Sequence, residues 1–155
     1  MNTILIATSI AIFTSYIIYI IIKFGILETI STSFYRLPDK QKWMFIAWTW
    51  GSAVPLIAVG NSGLSFFAGG FLCFVGVASN TRWSNVTKVV HLVGAIGAII
   101  LGYAFLLYVL HLWLLVFISV MAGILIYLLN IKNNVWWIEV IAYYTIISGL
   151  ILKQI

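Results

Sequence analysis

Charge is what this sequence has least of. Of 155 residues, eight are Lys or Arg, three are Asp or Glu, and 64% are hydrophobic. A soluble domain keeps itself dispersed with roughly a quarter or more of its surface charged. The shortage therefore excludes a water-soluble fold and leaves no stretch polar enough for a separate soluble module. The single cysteine, Cys73, excludes an internal disulfide and a multi-cysteine metal centre. It sits in an apolar run and reads as a small packing residue. There are two histidines, His91 and His111. A zinc site wants three or more His, Cys or carboxylate ligands close together. His91 and Glu139 supply two, with Asp39 or Cys73 a forced third, so no metal and no other cofactor is assigned. No nucleophile elbow, phosphate loop or HExxH pattern is present either, so no enzyme class is assigned.

What the sequence has in abundance is long apolar runs. Six are expected to cross a bilayer as helices, at about residues 4–26, 43–60, 64–79, 89–108, 112–129 and 135–152. The first is too long and uniform for a signal-peptide core and lacks a basic leader and a small-residue cleavage site. The run from 89 to 131 is about twice the bilayer thickness as one helix. It must reverse, and 108–113, around His111, is the place, although neither Gly nor Pro marks it. Pro55 removes a helix hydrogen bond inside the second span and predicts a kink. The fold class is all-α: one transmembrane domain, a bundle of six helices with both termini on the same side.

The net charge of +5 looks at first like a nucleic-acid signal. Its placement argues otherwise. Arg36, Lys40, Lys42, Arg82, Lys88 and Lys132 all fall in the first, third and fifth connections, and only Lys153 lies opposite. The positive-inside rule makes those connections cytoplasmic and puts both termini on the outer side. Trp43, Trp83, Trp136 and Trp137 fall at the same inner boundary, as an aromatic belt. The basic residues then meet anionic headgroups, and membrane lipids, not nucleic acid, are the expected partners.

Small residues carry the packing signal. Gly94, Ala98 and Gly102 recur every four residues in the fourth span; Gly69/Cys73 and Ser119/Gly123 are further pairs. In lipid such faces let helix backbones approach closely. The third span is expected in the interior, against the Gly94 face of the fourth.

Ionisable residues at membrane depth are costly, so each is a functional candidate. Glu139 lies about a turn inside the sixth span and His91 at similar depth in the fourth. Together they can hold a cation or a ligand headgroup, or move a proton. The structural alternative is that Glu139 pairs with Lys23, Lys88 or Lys132 at the interface and His91 bonds locally. His111, at the outer reversal, reads as interfacial. Ser31, Thr32 and Ser33, next to Tyr35 and Arg36, form a hydroxyl cluster suited to a phosphate headgroup, or else an ordinary polar loop. Candidate headgroup contacts are thus Ser31, Ser33, Tyr35, Arg36, Lys40, Lys42, Arg82 and Lys88. Trp48 and Trp50 are candidates to line a cavity.

The segments STSFYRLPDKQKWMF (31–45), FVGVA (74–78) and VVHLVGA (89–95) resemble those of small multispanning membrane proteins of unassigned function from Bacteroides-type bacteria and their phages. The resemblance covers under half the chain. It implies a bacterial or phage inner-membrane setting and supplies no activity. A fainter likeness to seven-helix membrane hydrolases fails on the chain's two histidines, since those enzymes use a Ser/Asp/multi-His zinc set. The leading expectation is a polytopic inner-membrane protein that self-associates through its small faces into a homo-oligomer, as a channel or scaffold. The alternative is a lipid- or amphiphile-binding membrane protein, an enzyme included, with a Glu139/His91 polar site near the inner leaflet. A coupled transporter is third, because no internal repeat is visible and Pro55 is the one broken-helix signal.

Overall fold

A computed structural model describes residues 2–79 and 85–154, with side chains described for 2–77 and 89–154. Among the described residues the chain is all helical. Its helices are α1 (Asn2–Phe24), α2 (Thr32–Arg36), α3 (Trp43–Val59), α4 (Gly63–Ser79), α5 (Asn85–Tyr108), α6 (Trp113–Leu128) and α7 (Asn134–Leu152), with a 3-10 turn at Asp39–Gln41. Three stretches, Asn2–Phe24, Val89–Tyr108 and Asn134–Leu152, are long and apolar enough to cross a membrane. They mark an integral membrane protein. Gly63–Val77 and Trp113–Leu128 are apolar but shorter.

The outside of the bundle is apolar too. Phe66, Phe67, Phe74, Leu114, Phe117, Leu125 and Leu128 are all exposed, as side chains against lipid are. The turns are set by residues that tolerate a left-handed backbone: Gly25, Asn61, His111, Asn130 and Asn133 all have positive φ. His111 (φ 55) thus performs the reversal between α5 and α6 that no Gly or Pro marked. α3 continues through Pro55, and its end closes with Gly60 N–H donating to the Pro55 carbonyl.

The strongest helix pairings are α4 with α5, α3 with α4, and α1 with α3; α7 closes the ring against α1, α3 and α5, and α6 packs outside on α7 and α5. Small residues sit at these seams. A methyl on Gly94 would lie 3.0 Å from the Phe71 carbonyl oxygen of α4, and one on Gly69 would lie 2.9 Å from the Ala53 carbonyl oxygen of α3. A methyl on Gly102 would run into Ile146 of α7. Ala98 is buried, and the Ser119 hydroxyl bonds the Tyr103 hydroxyl across α5 and α6 at 2.6 Å. Gly123 is looser, with only Ile138 within reach, at 3.7 Å, and Cys73 is a half-buried free thiol.

Helix ends sort into two groups. Asn133 Nδ2 donates to the Ile26 carbonyl at 2.6 Å, joining the α6–α7 and α1–α3 connections. Lys153 Nζ donates to the Gly60 carbonyl at 2.6 Å, and Asn2 Nδ2 to Gln154 Oε1 at 3.3 Å, joining both chain ends to the α3–α4 turn.

Two expectations need correction. Trp136 is fully buried in the aromatic core with Phe13, Tyr16, Phe45 and Trp48, so it is no part of an interfacial belt. Adjacent helix positions point about 100° apart, and Trp137 is only partly buried against the same cluster. Trp43 is 64% exposed; Trp83 lies outside the described residues. The other correction concerns the first connection. Ile30, Phe34 and Leu37 are buried, and they draw the segment down onto the bundle.

Candidate functional site

The inward-drawn segment brings the two membrane-depth candidates to the same place. Glu139 Oε2 accepts the Ile30 backbone N–H at 2.7 Å. One residue on, the Ser31 hydroxyl meets His91 Nε2 at 2.7 Å, and the imidazole also bonds the backbone of Val75. Ser33, with no exposed surface, joins the Tyr16 hydroxyl to the Ile30 carbonyl. α7, α5 and α1 thus each hold this segment by one polar side chain. Glu139 and His91 meet through the Ile30–Ser31 step.

Below that step lies a cavity of about 80 Å³. Trp48, Ser52 and Leu56 line it from α3 at a four-residue interval, Phe13 from α1, and Glu139, Ala142, Tyr143 and Ile146 from α7. Ala95, Ala98 and Ile99 close it from α5, and Leu72 and Val75 from α4. The walls are almost wholly apolar, with Ile30, Ser31 and Glu139 at one end.

Two wall residues carry buried polar atoms without a hydrogen-bond partner, Trp48 Nε1 and Ser52 Oγ. The Tyr16 hydroxyl lies toward Trp48 and the Tyr143 hydroxyl toward Ser52, close enough to interact electrostatically. Each hydroxyl is a hydrogen-bond neighbour of the other group, at a separation beyond an ordinary hydrogen-bond length. Buried polar groups are nearly always satisfied, and an orphan costs about 1–3 kcal/mol. Elsewhere tyrosine hydroxyls are satisfied in pairs: Ser9 with Tyr143 and Thr14 with Tyr144, each at 2.8 Å, tie α1 to α7.

The interfacial pairings considered for Glu139 do not form with the lysines whose side chains are described. Lys23 Nζ donates to the Tyr19 hydroxyl and to Gln41 Oε1, both at 2.7 Å, and Lys132 is exposed. The side chain of Lys88, and Arg82, lie outside the described residues. Among the described residues the one ion pair is Lys42 with Asp39, at 2.7 Å. That ammonium holds the exposed Asp39 carboxyl below its ordinary range, and it also lies over the Phe34 ring. Tyr35, Arg36 and Lys40 are exposed, whereas Ser33 is sealed and Ser31 faces His91. Among the described residues no three of His, Cys, Asp and Glu come together. Trp48 is on the cavity wall, and Trp50 is half-exposed, near Gly76.

The sequence reading missed Ser52, Tyr143 and Tyr16. A signal for them existed: hydroxyls inside apolar spans must find partners, and all three lie deep within one.

No protein-family model, curated protein or solved structure matches this chain.

Proposed function

We propose that this is a six-span protein of a bacterial inner membrane, with both termini outside, that binds the compact cationic head of an amphiphile inside its bundle. The carrying observation is the cavity itself: a carboxylate at one end of an otherwise apolar space whose wall also carries Ser31, Ser52 and Trp48. A carboxylate supplies the counter-charge for an ammonium. Ser52 and Ser31 supply further acceptors, and Phe13, Trp48 and Tyr143 supply aromatic walls that suit a cation. At about 80 Å³ the space is smaller than a cavity that takes benzene, at about 150 Å³. It fits a headgroup and not a whole lipid.

Three features support the six spans. The helix ends fall into two groups; the first and fifth connections, both basic, are bonded to each other in one of them; and the exposed faces are apolar. The headgroups of the surrounding lipids are the natural partners of Tyr35, Arg36 and Lys40. The small-residue faces are the features that would favour self-association as a channel or scaffold. Those at Gly69, Gly94, Ala98, Gly102 and Ser119 meet partners within one chain, so they give no argument for a second copy.

The test is titration of the detergent-solubilised protein with butylamine, followed by calorimetry. Hydrogen bonds to charged groups contribute about 1.5–3 kcal/mol, so Glu139→Gln is expected to weaken binding about tenfold or more. Its amide oxygen can still accept the Ile30 N–H, so the thermal transition should stay close to that of the native protein. Equal affinity in the two proteins, or no binding to either, overturns the reading.

A further inference from the structure

A second hollow of about 370 Å³ lies between α5, α6 and α7, bordered by Tyr103, Ser119, Gly123, Ile124, Tyr127 and Ile138. Ile99 of α5 and Ala142 of α7 line both hollows. The head cavity and this groove therefore adjoin at Ile99 and Ala142, and a ligand held in both must pass between these side chains.

We infer that the amphiphile is a single-chain amine that enters sideways from the bilayer between α5, α6 and α7, and that its alkyl chain stays in this groove while its head sits at Glu139. The inference rests on the binding reading above and adds the ligand class and the route.

Volume divides the ligand. The inner cavity is too small for an amphiphile, whereas the groove lies in the range of sites that hold organic ligands, about 300–1,000 Å³. Chemistry divides it the same way. The carboxylate of Glu139 and the polar residues Ser31, Ser52 and Trp48 line the inner cavity and not the groove. In the groove the Tyr103 and Ser119 hydroxyls satisfy one another at 2.6 Å, which leaves a surface suited to methylenes. The groove is on the lipid side, since Val120, Ile124, Tyr127 and Leu128 on its α6 border are all exposed. Room for one chain exists beside Gly123, where an added methyl would meet Ile138 alone.

The experiment uses the full chain in phosphatidylcholine vesicles and a single-chain primary amine carrying a mid-chain diazirine. After illumination, adducts are mapped by mass spectrometry and butylamine affinity is measured in parallel. Adducts are expected on the α5–α6–α7 peptides bearing Tyr103, Ile124 and Tyr127, and excess unlabelled amine should compete them away. Gly123→Leu fills the groove away from Glu139. It is expected to reduce the labelling about tenfold while leaving butylamine affinity unchanged. Ile99→Ala, which thins the partition, should preserve or raise labelling. Butylamine binding with adducts spread over all lipid-facing helices, or with groove labelling indifferent to Gly123→Leu, overturns the route and leaves the binding reading standing. Failure of both amines to bind overturns the two together.

Discussion

Ser33 is a serine without exposed surface in a connection that reads as polar. Its hydroxyl bonds the Tyr16 hydroxyl and the Ile30 carbonyl, and Ile30 presents its N–H to Glu139. One side chain thus braces the backbone that holds the candidate site. Ser33→Ala leaves the Tyr16 hydroxyl buried without its partner and is expected to cost about 1–3 kcal/mol. Tyr16→Phe leaves Ser33 its carbonyl partner and should cost less. Unfolding in mixed micelles with increasing SDS checks both. In the double variant the costs should fall short of their sum, because the residues share one bond; full additivity would show that the bond contributes nothing. The hydroxyl cluster 31–33 was visible in the sequence, but its direction was not. Ile30, Phe34 and Leu37 stand at i, i+4 and i+7, the spacing of a buried helical stripe. Here it is interrupted by enough polar residues to look like a solvated loop. Glu139 and His91 were legible for the opposite reason, since an ionisable group inside an apolar run stands out whatever the tertiary structure does with it.

The helices followed from the apolar runs to within a few residues, because run length and turn residues act locally. α5 begins at Asn85, ahead of the apolar run that opens at 89, since a helix can start in its polar approach. Which neighbour each small residue faces did not follow. Gly94, Ala98 and Gly102 look like one face, yet at 3.6 residues per turn each step of four rotates about 40°, so Gly102 points about 80° away from Gly94. The structure spends that rotation on two neighbours, α4 at Gly94 and α7 at Gly102. Enlarging Gly94 should therefore damage the fold of one chain. A side chain there meets the Phe71 carbonyl oxygen, which is helix backbone and cannot turn aside, and overpacking of this kind costs about 1–3 kcal/mol or more. Gly94→Leu is expected to lower the thermal transition in mild detergent without changing the particle mass measured by light scattering. A change of mass with an unchanged transition would instead place Gly94 between subunits.

The arrangement of the whole molecule depends on α3, α4 and α6 crossing the bilayer. They have 17, 17 and 16 residues, which gives about 24–26 Å of rise against a hydrocarbon thickness of about 30 Å. Short helices are accommodated by local thinning and by polar flanks reaching to the interface, at a modest cost per ångström. If they cross, α3 runs from the Ile26/Asn133 end to the Gly60/Lys153 end, each of which is held together by its own bond. Labelling can decide it, starting from Cys73→Ser so that each new thiol is alone. Tyr35→Cys and Ile131→Cys belong to the basic end; Gly63→Cys and Val109→Cys belong to the other. All four positions are exposed, and the substitutions leave every basic residue in place, so the charge asymmetry that orients the chain is undisturbed. A membrane-impermeant maleimide added outside intact spheroplasts is expected to label positions 63 and 109 and spare 35 and 131, with the reverse in inverted vesicles. If 35 and 63 react from the same side, α3 does not cross. The cavity between α1, α3, α5 and α7 would then open at the membrane surface and no longer lie within the bilayer. Lateral entry would lose its physical basis, since an amine already in water would need no route through lipid to reach Glu139.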